Sequence, residues 1–400
     1  MRRMSAAIMD DAAAHHQEIR SITITKGKTV NKRTILSAIT AGAVILGLSA
    51  CAPPSVTEGD SGDKGLIGVA MPTQESERWI KDGDAVKAGL EAEGYTVDLQ
   101  YAQDDIPKQI EQIDAMITKG AKVLIIAAKD GTALTDQLQQ AADAGIKVIA
   151  YDRLINESPN VDYYTTFDNY GVGVQQAHTL LAGLGVTDID GAPVDGVTGP
   201  FNIELFAGSP DDNNTHFFFN GAMDTLQPFI DSGVLVVKSG QVAQDVVATQ
   251  DWKLENAQAR MENLLTANYA DGSKVNGVLS PYDGLSRGII SALTDVGYKP
   301  GPDFPIITGQ DAELDSVKAI LAGEQYATIF KDTRDLAAAA VDMALAILND
   351  EEPTINDTET YDNGVKVVPT NQLTPYIVRK DDITKQLVDS GYYTQEQVEG

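Results

Sequence analysis

The stretch AKVLIIAAKDGTALTDQLQQAADAGIKVIAYDR, residues 121–153, predicts the fold of this chain. It begins with a continuous apolar run at 123–128, which is typical of a strand buried on both faces of a sheet. A helical pattern follows near 132–144, Gly145 stands where a helix ends, and a second strand pattern spans 147–151. A strand, a helix and a strand in this order indicate a parallel sheet covered by helices.

The same alternation continues over most of the chain. Further strand patterns, mostly separated by helical ones, lie at 65–71, 164–167, 203–207, 235–238, 275–280, 305–308 and 327–330. These strands are too many for the simplest single Rossmann sheet, so we predict an α/β protein with two lobes, each a parallel sheet flanked by helices.

Composition excludes some classes of protein. Hydrophobic residues make up 43% of the 400 residues, which is enough to fill real cores and argues against a disordered chain. The formal net charge is −28. A nucleic-acid partner is therefore not expected, because phosphate binding needs concentrated Lys and Arg.

The N-terminal region has the pattern of an export signal. The basic pair Lys32 and Arg33 precedes an apolar run at 35–48, and the sequence LSAC ends at Cys51. The run is too short for a typical membrane-spanning helix. We predict that residues 1–50 are a signal peptide.

Cys51 is the only cysteine of the chain. Because LSAC resembles a bacterial lipobox, we predict that Cys51 is lipidated; the alternative is a stray cysteine in a disordered tail. Lipidation would hold the protein on the outer face of the cell membrane. Residues 51–64, which are rich in Pro, Ser, Gly and acidic residues, are expected to be a flexible tether.

Polar and aromatic side chains follow the predicted strands at their carboxyl ends. In parallel sheets ligands bind beyond these ends. The candidate ligand-binding residues are Arg78, Trp79, Asp152, Arg153, Asn213, Asn214, Trp252, Asp283, Asp311 and Lys331, with Asp130 and Asp212 as further candidates.

This set of residues suits a neutral polyol with apolar faces. Carboxylates accept hydrogen bonds from hydroxyl groups, Arg and Lys donate them, and Asn does either. Trp79 and Trp252, the two tryptophans of the chain, could hold a sugar ring between them.

Each candidate also has a purely structural alternative. Asp130, Asp283 and Asp311 could cap helices, and Asp152 with Arg153 could form a local ion pair. Trp79 and Trp252 could pack helices, Lys331 could be a solvated surface residue, and 211–214 could begin a helix or bind a cation.

Long segments resemble bacterial periplasmic sugar-binding proteins of the ribose/galactose/xylose type, which serve ATP-driven importers, and especially their multiple-sugar-binding members. The segments that carry the resemblance are AMPTQESERWIKDG (70–83), DLQYAQDDIPKQIEQIDAMITKGAKVLIIAAKDGT (98–132), KVIAYDRLI (147–155), TFDN (166–169), PFNIELFAGSPDDNN (200–214), VLSPYDGLS (278–286), GQDAELDSVKAILAGEQYATIFKDTR (309–334) and SGYY (390–393).

The resemblance implies a type I periplasmic-binding-protein fold with three hinge crossovers. It implies an N-terminal lobe of 65–168 plus 284–328 and a C-terminal lobe of 169–282 plus 332–400. The lobes would close around a monosaccharide, galactose or glucose and also arabinose or xylose, at the candidate residues named above. The metal loop of the galactose-binding branch has no counterpart here, and no cofactor is expected.

The resemblance also implies partners: an aldose and the membrane permease of an ABC importer, with the protein acting as a monomer. A membrane sensor is an alternative reader of the closed form. An enzyme is disfavoured because the candidate carboxylates stand among cations that keep them ionised, and because P-loop and HExxH motifs are absent from the sequence. A sugar-responsive DNA regulator would carry a basic headpiece where this chain has its leader.

Overall fold

A computed structural model describes residues 64–400. The strands in this range are β1 (Leu66–Met71), β2 (Thr96–Tyr101), β3 (Val123–Ile126), β4 (Lys147–Tyr151), β5 (Tyr163–Phe167), β6 (Phe201–Leu205), β7 (Leu235–Val237), β8 (Gly277–Leu279), β9 (Ile306–Ile307), β10 (Ala327–Phe330), β11 (Thr370–Leu373) and β12 (Tyr376–Arg379). The α-helices are α1 (Glu77–Ala92), α2 (Ile106–Thr118), α3 (Thr135–Asp143), α4 (Asn169–Gly183), α5 (Asn214–Asp231), α6 (Gln244–Val247), α7 (Leu254–Asn268), α8 (Asp283–Asp295), α9 (Leu314–Ala322), α10 (Thr333–Leu348) and α11 (Gln395–Glu399).

The first lobe is built on a six-stranded parallel sheet with the order β11-β5-β4-β3-β1-β2. Because side chains alternate along a strand, Ile67 and Val69 of β1 face one side, where they pack in the same core as α1 and α10. Ala70 faces the other side and packs in the same core as Ile113 of α2 and Leu138 of α3. Burial on both faces explains the continuous apolar strands in the sequence.

The second lobe is built on a four-stranded parallel sheet with the order β7-β6-β8-β9. Ile203 of β6 packs in one core with Leu180 of α4 and residues of α5. Val278 of β8 packs in the other core with Met261 of α7 and residues of α8. The antiparallel pair β10 and β12 lies beside this sheet, and an isolated bridge joins Gln310 to Ile329 of β10. The predicted α/β architecture of parallel sheets flanked by helices is confirmed.

The chain crosses between the lobes three times. The crossings lie between β5 and α4 (residues 167–169), between β10 and α10 (330–333), and between β11 and β12 (373–376). Lys331 therefore stands within the second crossing, next to the surface where the lobes meet.

The structure corrects the expected division of the chain between lobes. Residues 284–328 were assigned to the N-terminal lobe, but β9 pairs with β8 and α8 packs against α7, so this segment belongs to the second lobe. Residues 332–400 were expected in the second lobe, but two of their elements belong to the first lobe. Helix α10 packs against α1, and β11 pairs with β5. For residues 284–328 the reason is that β8, α8 and β9 form a crossover unit, in which the two parallel strands are neighbours in one sheet.

The predictions for the N-terminal region fall almost entirely outside the described residues. The signal peptide at 1–50, lipidation of Cys51 and all of the tether except Lys64 lie there. Between residues 64 and 400, no helix is both long enough and apolar enough to cross a bilayer.

Candidate functional site

A cavity of about 310 Å³ lies where the residues that follow the strands of the two sheets meet. Nine of the twelve candidate residues line it: Arg78, Trp79, Asp152, Arg153, Asp212, Asn214, Trp252, Asp311 and Lys331. Residues that follow β1, β3 and β4 supply one wall, and residues that follow β6, β7, β8 and β9 supply the other. The cavity thus lies at the carboxyl ends of both sheets, as expected for parallel sheets.

Four buried residues of the lining and one residue behind them, Asp82, form what we call the inner charge cluster: Arg78, Asp82, Asp152, Asp311 and Lys331. Arg78 donates from Nε to Asp82 Oδ2 at 3.0 Å, from NH2 to Asp152 Oδ1 at 2.8 Å and from NH1 to Asp311 Oδ1 at 3.4 Å. Lys331 Nζ lies 3.0 Å from Asp311 Oδ1 and 3.9 Å from Asp152 Oδ1. The cluster joins both lobes and the second crossing.

The cations of the cluster keep its central carboxylate ionised. Burial works to raise the pKa of Asp152, but the neighbouring cations, Arg78 first among them, outweigh burial and lower that pKa. Burial likewise works to lower the pKa of Arg78, and the surrounding carboxylates raise it well above its ordinary value. Asp152 is therefore a hydrogen-bond acceptor and a poor proton donor near neutral pH.

Trp79 makes cation–π contacts with two arginines. The guanidinium carbon of Arg78 is 4.6 Å from the centre of its ring, and that of Arg153 is 5.1 Å away. Such contacts hold the indole in place through its electron-rich face. Arg153 Nε in turn lies 3.1 Å from Asp212 Oδ2 of the second lobe, and burial raises the pKa of Asp212.

Trp252 is presented by an unusual backbone turn. It ends a 3₁₀ turn at Gln250–Trp252, and both Asp251 (φ 58°) and Trp252 (φ 56°) have left-handed conformations. The indole packs over Gly208, where a Cβ would collide with it. Phe218 and Tyr282 meet it edge-on, with ring centres 6.4 and 6.0 Å away. These contacts fix a half-buried aromatic plane at the cavity.

A second group of charges, here called the lobe-bridging trio, comprises Lys129, Asp211 and Asp251. Lys129 Nζ, from the loop after β3, lies 2.5 Å from Asp211 Oδ2 and 2.8 Å from Asp251 Oδ1, both in the second lobe. Burial works to lower the pKa of Lys129, but hydrogen bonds to the two carboxylates outweigh it and raise that pKa. Lys129 lines the cavity and also ties the lobes together.

The lobes also meet near Ser76, which lines the cavity. Ser76 Oγ, just before α1, donates to Glu313 Oε1 of the second lobe at 2.9 Å. Tyr282 Oη donates to the same oxygen at 2.6 Å, and Arg287 NH1 lies 2.8 Å from Glu313 Oε2. Direct contacts at both places show that the described conformation has its lobes closed on each other.

Three candidate residues do not line the cavity. Asp283 is fully buried and accepts hydrogen bonds from Glu313 N, Gln325 Nε2 and Thr328 Oγ1, and burial raises its pKa to about 8. It holds the loop after β9, which carries Asp311, instead of facing the cavity.

Asp130 accepts hydrogen bonds from the backbone and side chain of Thr132, both at 2.8 Å, which is the capping role left open above. Asn213 is the residue before α5 and stands outside the cavity lining. Asp283, Asp130 and Asn213 therefore lie outside the cavity lining, unlike the other nine candidates.

Sequence reasoning missed several residues of the lining, among them Lys129, Asp251, Tyr282, Glu75 and Gln310. Lys129 and Tyr282 directly precede Asp130 and Asp283, and Asp251 directly precedes Trp252. The strand ends therefore indicated the correct loops, but the residue that lines the cavity is next to the one that we predicted.

Some polar atoms of the lining remain available to a ligand. Among residues 64–400, Trp252 Nε1 and Gln310 Oε1 are buried yet make no hydrogen bond within the protein. A buried polar group without a partner is costly, so a ligand that supplies hydroxyl groups would be stabilised here. The described part of the chain contains no group of three or more His, Cys, Asp or Glu placed to hold a metal ion.

Comparisons with known proteins agree with this geometry. Residues 67–352 match the family described as "Periplasmic binding protein domain". The multiple sugar-binding periplasmic receptor ChvE of Rhizobium radiobacter is 59% identical over 84% of this chain and 93% of its own length. The multiple sugar-binding periplasmic protein SbpA of Azospirillum brasilense is 57% identical over 84% and 91%.

A solved structure is also similar. It is an ABC transporter solute-binding protein from Clostridium phytofermentans with bound β-D-glucose, 46% identical, with a TM-score of 0.78 over 83% of this chain and 99% of that one. The family resemblance inferred from the sequence is confirmed.

Proposed function

Because this chain belongs to the periplasmic binding protein family, we propose that it captures one aldopyranose between its two lobes and delivers it to the permease of an ABC importer. The family is one of binding proteins and not of enzymes, so the prediction of binding without catalysis is confirmed. The observation that carries the proposal is the cavity itself, in which two indoles stand among buried, paired charges.

The cavity is suited to one sugar ring. At about 310 Å³ it is at the small end of the range for small-molecule sites, roughly 300–1,000 Å³, which favours a monosaccharide over an oligosaccharide. Asp152 and Asp311 can accept from hydroxyl groups, and Arg153, Lys331 and Lys129 can donate to them. Charge-assisted hydrogen bonds are stronger than neutral ones, so a few offset the desolvation of the sugar.

The relatives support the choice of sugar. Two are named as multiple sugar-binding proteins, and the similar solved structure holds β-D-glucose. We therefore expect D-glucose and D-galactose as the main ligands, with L-arabinose and D-xylose bound as well. Asp152, Arg153, Asn214, Asp311 and Lys331 are proposed to contact the hydroxyl groups, and Trp79 and Trp252 the apolar faces.

Anchoring is part of the proposal. The lipobox-like LSAC sequence ending at Cys51 supports attachment to the outer face of the membrane. We expect the wild-type protein to partition with membranes when expressed in a lipoprotein-processing host, and Cys51→Ala to be lost from them. Equal membrane association of both proteins would contradict the anchor without affecting the sugar proposal.

The sugar proposal is tested by isothermal titration calorimetry of the purified protein with aldopentoses and aldohexoses, followed by recovery of the sugar. We expect saturable one-to-one binding of D-glucose or D-galactose and recovery of unchanged sugar. Ribitol, an open-chain polyol that lacks the ring faces, is the matched control and should bind far more weakly. Failure of every aldose to bind would contradict the proposal.

A further inference from the structure

Asp82 lies behind the cavity, with no exposed surface and outside the residues that line it. It stands one turn after Arg78 on α1, so the two side chains share a face of the helix. Its two carboxylate oxygens have separate partners. Oδ2 accepts from Arg78 Nε at 3.0 Å, and Oδ1 accepts from the hydroxyl of Tyr151 at 2.5 Å.

The bond to Asp82 determines where Arg78 points. A guanidinium is a rigid planar fork, so fixing its Nε edge also fixes the directions of its two terminal nitrogens. In this chain NH2 is directed to Asp152 of the first lobe and NH1 to Asp311 of the second. Arg78 is thus oriented at the place where the two lobes and the cavity meet.

Tyr151 connects the same arrangement to the strand that carries Asp152. Its side chain is fully buried, and it is the last residue of β4, directly before Asp152. The Asp82–Tyr151 bond therefore ties α1, which carries Arg78 and Trp79, to the end of β4, which leads into Asp152 and Arg153.

We propose that Asp82 is a positioning residue for sugar binding, which acts by holding Arg78 in the orientation that places Asp152 and Asp311 for the ligand. This inference rests on the proposed function. Asp82 would thus contribute to recognition although it lies outside the cavity lining, and Tyr151 would support it through their hydrogen bond.

The charge state of Asp82 gives this role a signature. Burial raises the pKa of Asp82 to about 6, despite the opposing charge of Arg78. Asp152 also faces it, as do the phenols of Tyr151, Tyr101 and Tyr392, whose own pKa values are raised in part by Asp82. Asp152 has a lowered pKa and stays ionised near pH 6.

Protonation of Asp82 would convert a charged acceptor for Arg78 into a neutral one. Sugar affinity should therefore be full above this pKa and should fall as the pH decreases through about 6. The direction follows because the ionised form is the one that holds Arg78, and acid removes it.

The test compares Asp82→Asn with the wild type by calorimetric titration with D-glucose between pH 5 and 8. The amide oxygen can still accept a hydrogen bond from Tyr151. The amide NH2 group then faces Arg78 Nε, and because both groups are donors they cannot form a hydrogen bond. We expect the affinity to be about ten- to a hundred-fold weaker at pH 7.5, because a hydrogen bond to a charged group is lost. We also expect the affinity to depend less on pH. Asp84→Asn, an exposed carboxylate of the same helix, should match the wild type in both.

Tyr151→Phe provides a second reading if Asp82→Asn folds poorly. The phenol hydrogen bond lowers the pKa of Asp82, so its removal should move the fall in affinity to higher pH. A wild-type affinity and pH profile in both variants would overturn the positioning role, as would weaker binding with an unchanged pH profile. If the wild type itself binds no aldose, the proposed function fails instead, so the two failures are distinguishable.

Discussion

The inner charge cluster and the lobe-bridging trio both join the lobes, but they differ in their access to water. In the inner cluster the side chains of Arg78 and Lys331 are 6% and 2% exposed, and those of Asp152 and Asp311 are 6% and 8% exposed. In the trio Lys129 is 4% exposed, whereas Asp211 and Asp251 are 17% and 34% exposed.

This difference in exposure suggests different roles for the two groups of charges, one in sugar recognition and the other in closure of the lobes. Charges without access to water must be compensated by one another or by a ligand, so the inner cluster favours one arrangement of groups around the sugar. Carboxylates that reach water can be solvated when Lys129 moves away, so the trio can break at modest cost. We infer that the inner cluster governs affinity and that the trio governs how readily the lobes open.

The largest effect is expected when the inner cluster loses its central cation. Arg78→Met removes the charge that lies between three buried carboxylates. Lys331 remains beside Asp152 and Asp311, whereas Asp82 loses its ion pair. We expect the free energy of unfolding to fall by about 3–5 kcal/mol, as for a broken buried ion pair, and glucose binding to be lost. Urea denaturation measures the first and calorimetry the second.

The matched control is Lys87→Met, which removes an exposed ion pair from the same helix. Its unfolding free energy should change by less than about 1 kcal/mol. If Arg78→Met were as stable as Lys87→Met, the inner cluster would not be the closely coupled group described here.

An intermediate effect is expected at the aromatic side of the cavity. Trp252→Ala removes the plane that we assign to a sugar face and should cost about 1.5–3 kcal/mol of binding free energy. Trp252→Phe keeps an apolar plane but lacks the indole Nε1, so it should retain most of the affinity. Calorimetry with D-glucose checks both, and equal binding by the Ala and Phe variants would argue against stacking.

The smallest effect is expected at the trio. Lys129→Gln keeps a polar side chain but removes the charge that attracts Asp211 and Asp251, and it should weaken glucose binding by about 1 kcal/mol. Because these partners reach water, the wild-type affinity should fall with added salt and the variant's affinity should depend on salt less.

Lys119→Gln is the control for this effect, because Lys119 forms an exposed ion pair with Asp98 away from the cavity. Titrations at 50 and 500 mM NaCl should give the wild-type salt dependence for this control. A Lys129→Gln protein with unchanged salt dependence would contradict a role of the trio in closure.

Much of the fold could be predicted from the sequence because buried parallel strands have a distinctive composition. β1, β3 and β4 are apolar on both faces, so their runs are continuous. β2, with the sequence TVDLQY, was missed because it is an edge strand with mixed polarity. The short strands β11 and β12 were missed as well, and the lobe to which a late segment belongs depends on pairing between distant strands.

The site was predictable in position but not in every residue. Strand ends correctly marked the cavity, yet Lys129 lines it instead of Asp130, and Tyr282 instead of Asp283. Which of two adjacent side chains faces the cavity depends on the turn that the loop adopts. Asp82 could not be found in this way, since its role depends on packing between α1 and Tyr151.

We propose that the two lobes enclose one sugar ring between Trp79 and Trp252. A crystal structure of the protein grown with D-glucose would test this arrangement. We expect one glucose in the cavity, with its ring faces against the indoles and its hydroxyl groups bonded to Asp152, Arg153 and Lys331. Glucose bound elsewhere, or in the cavity without contact to either tryptophan, would contradict it.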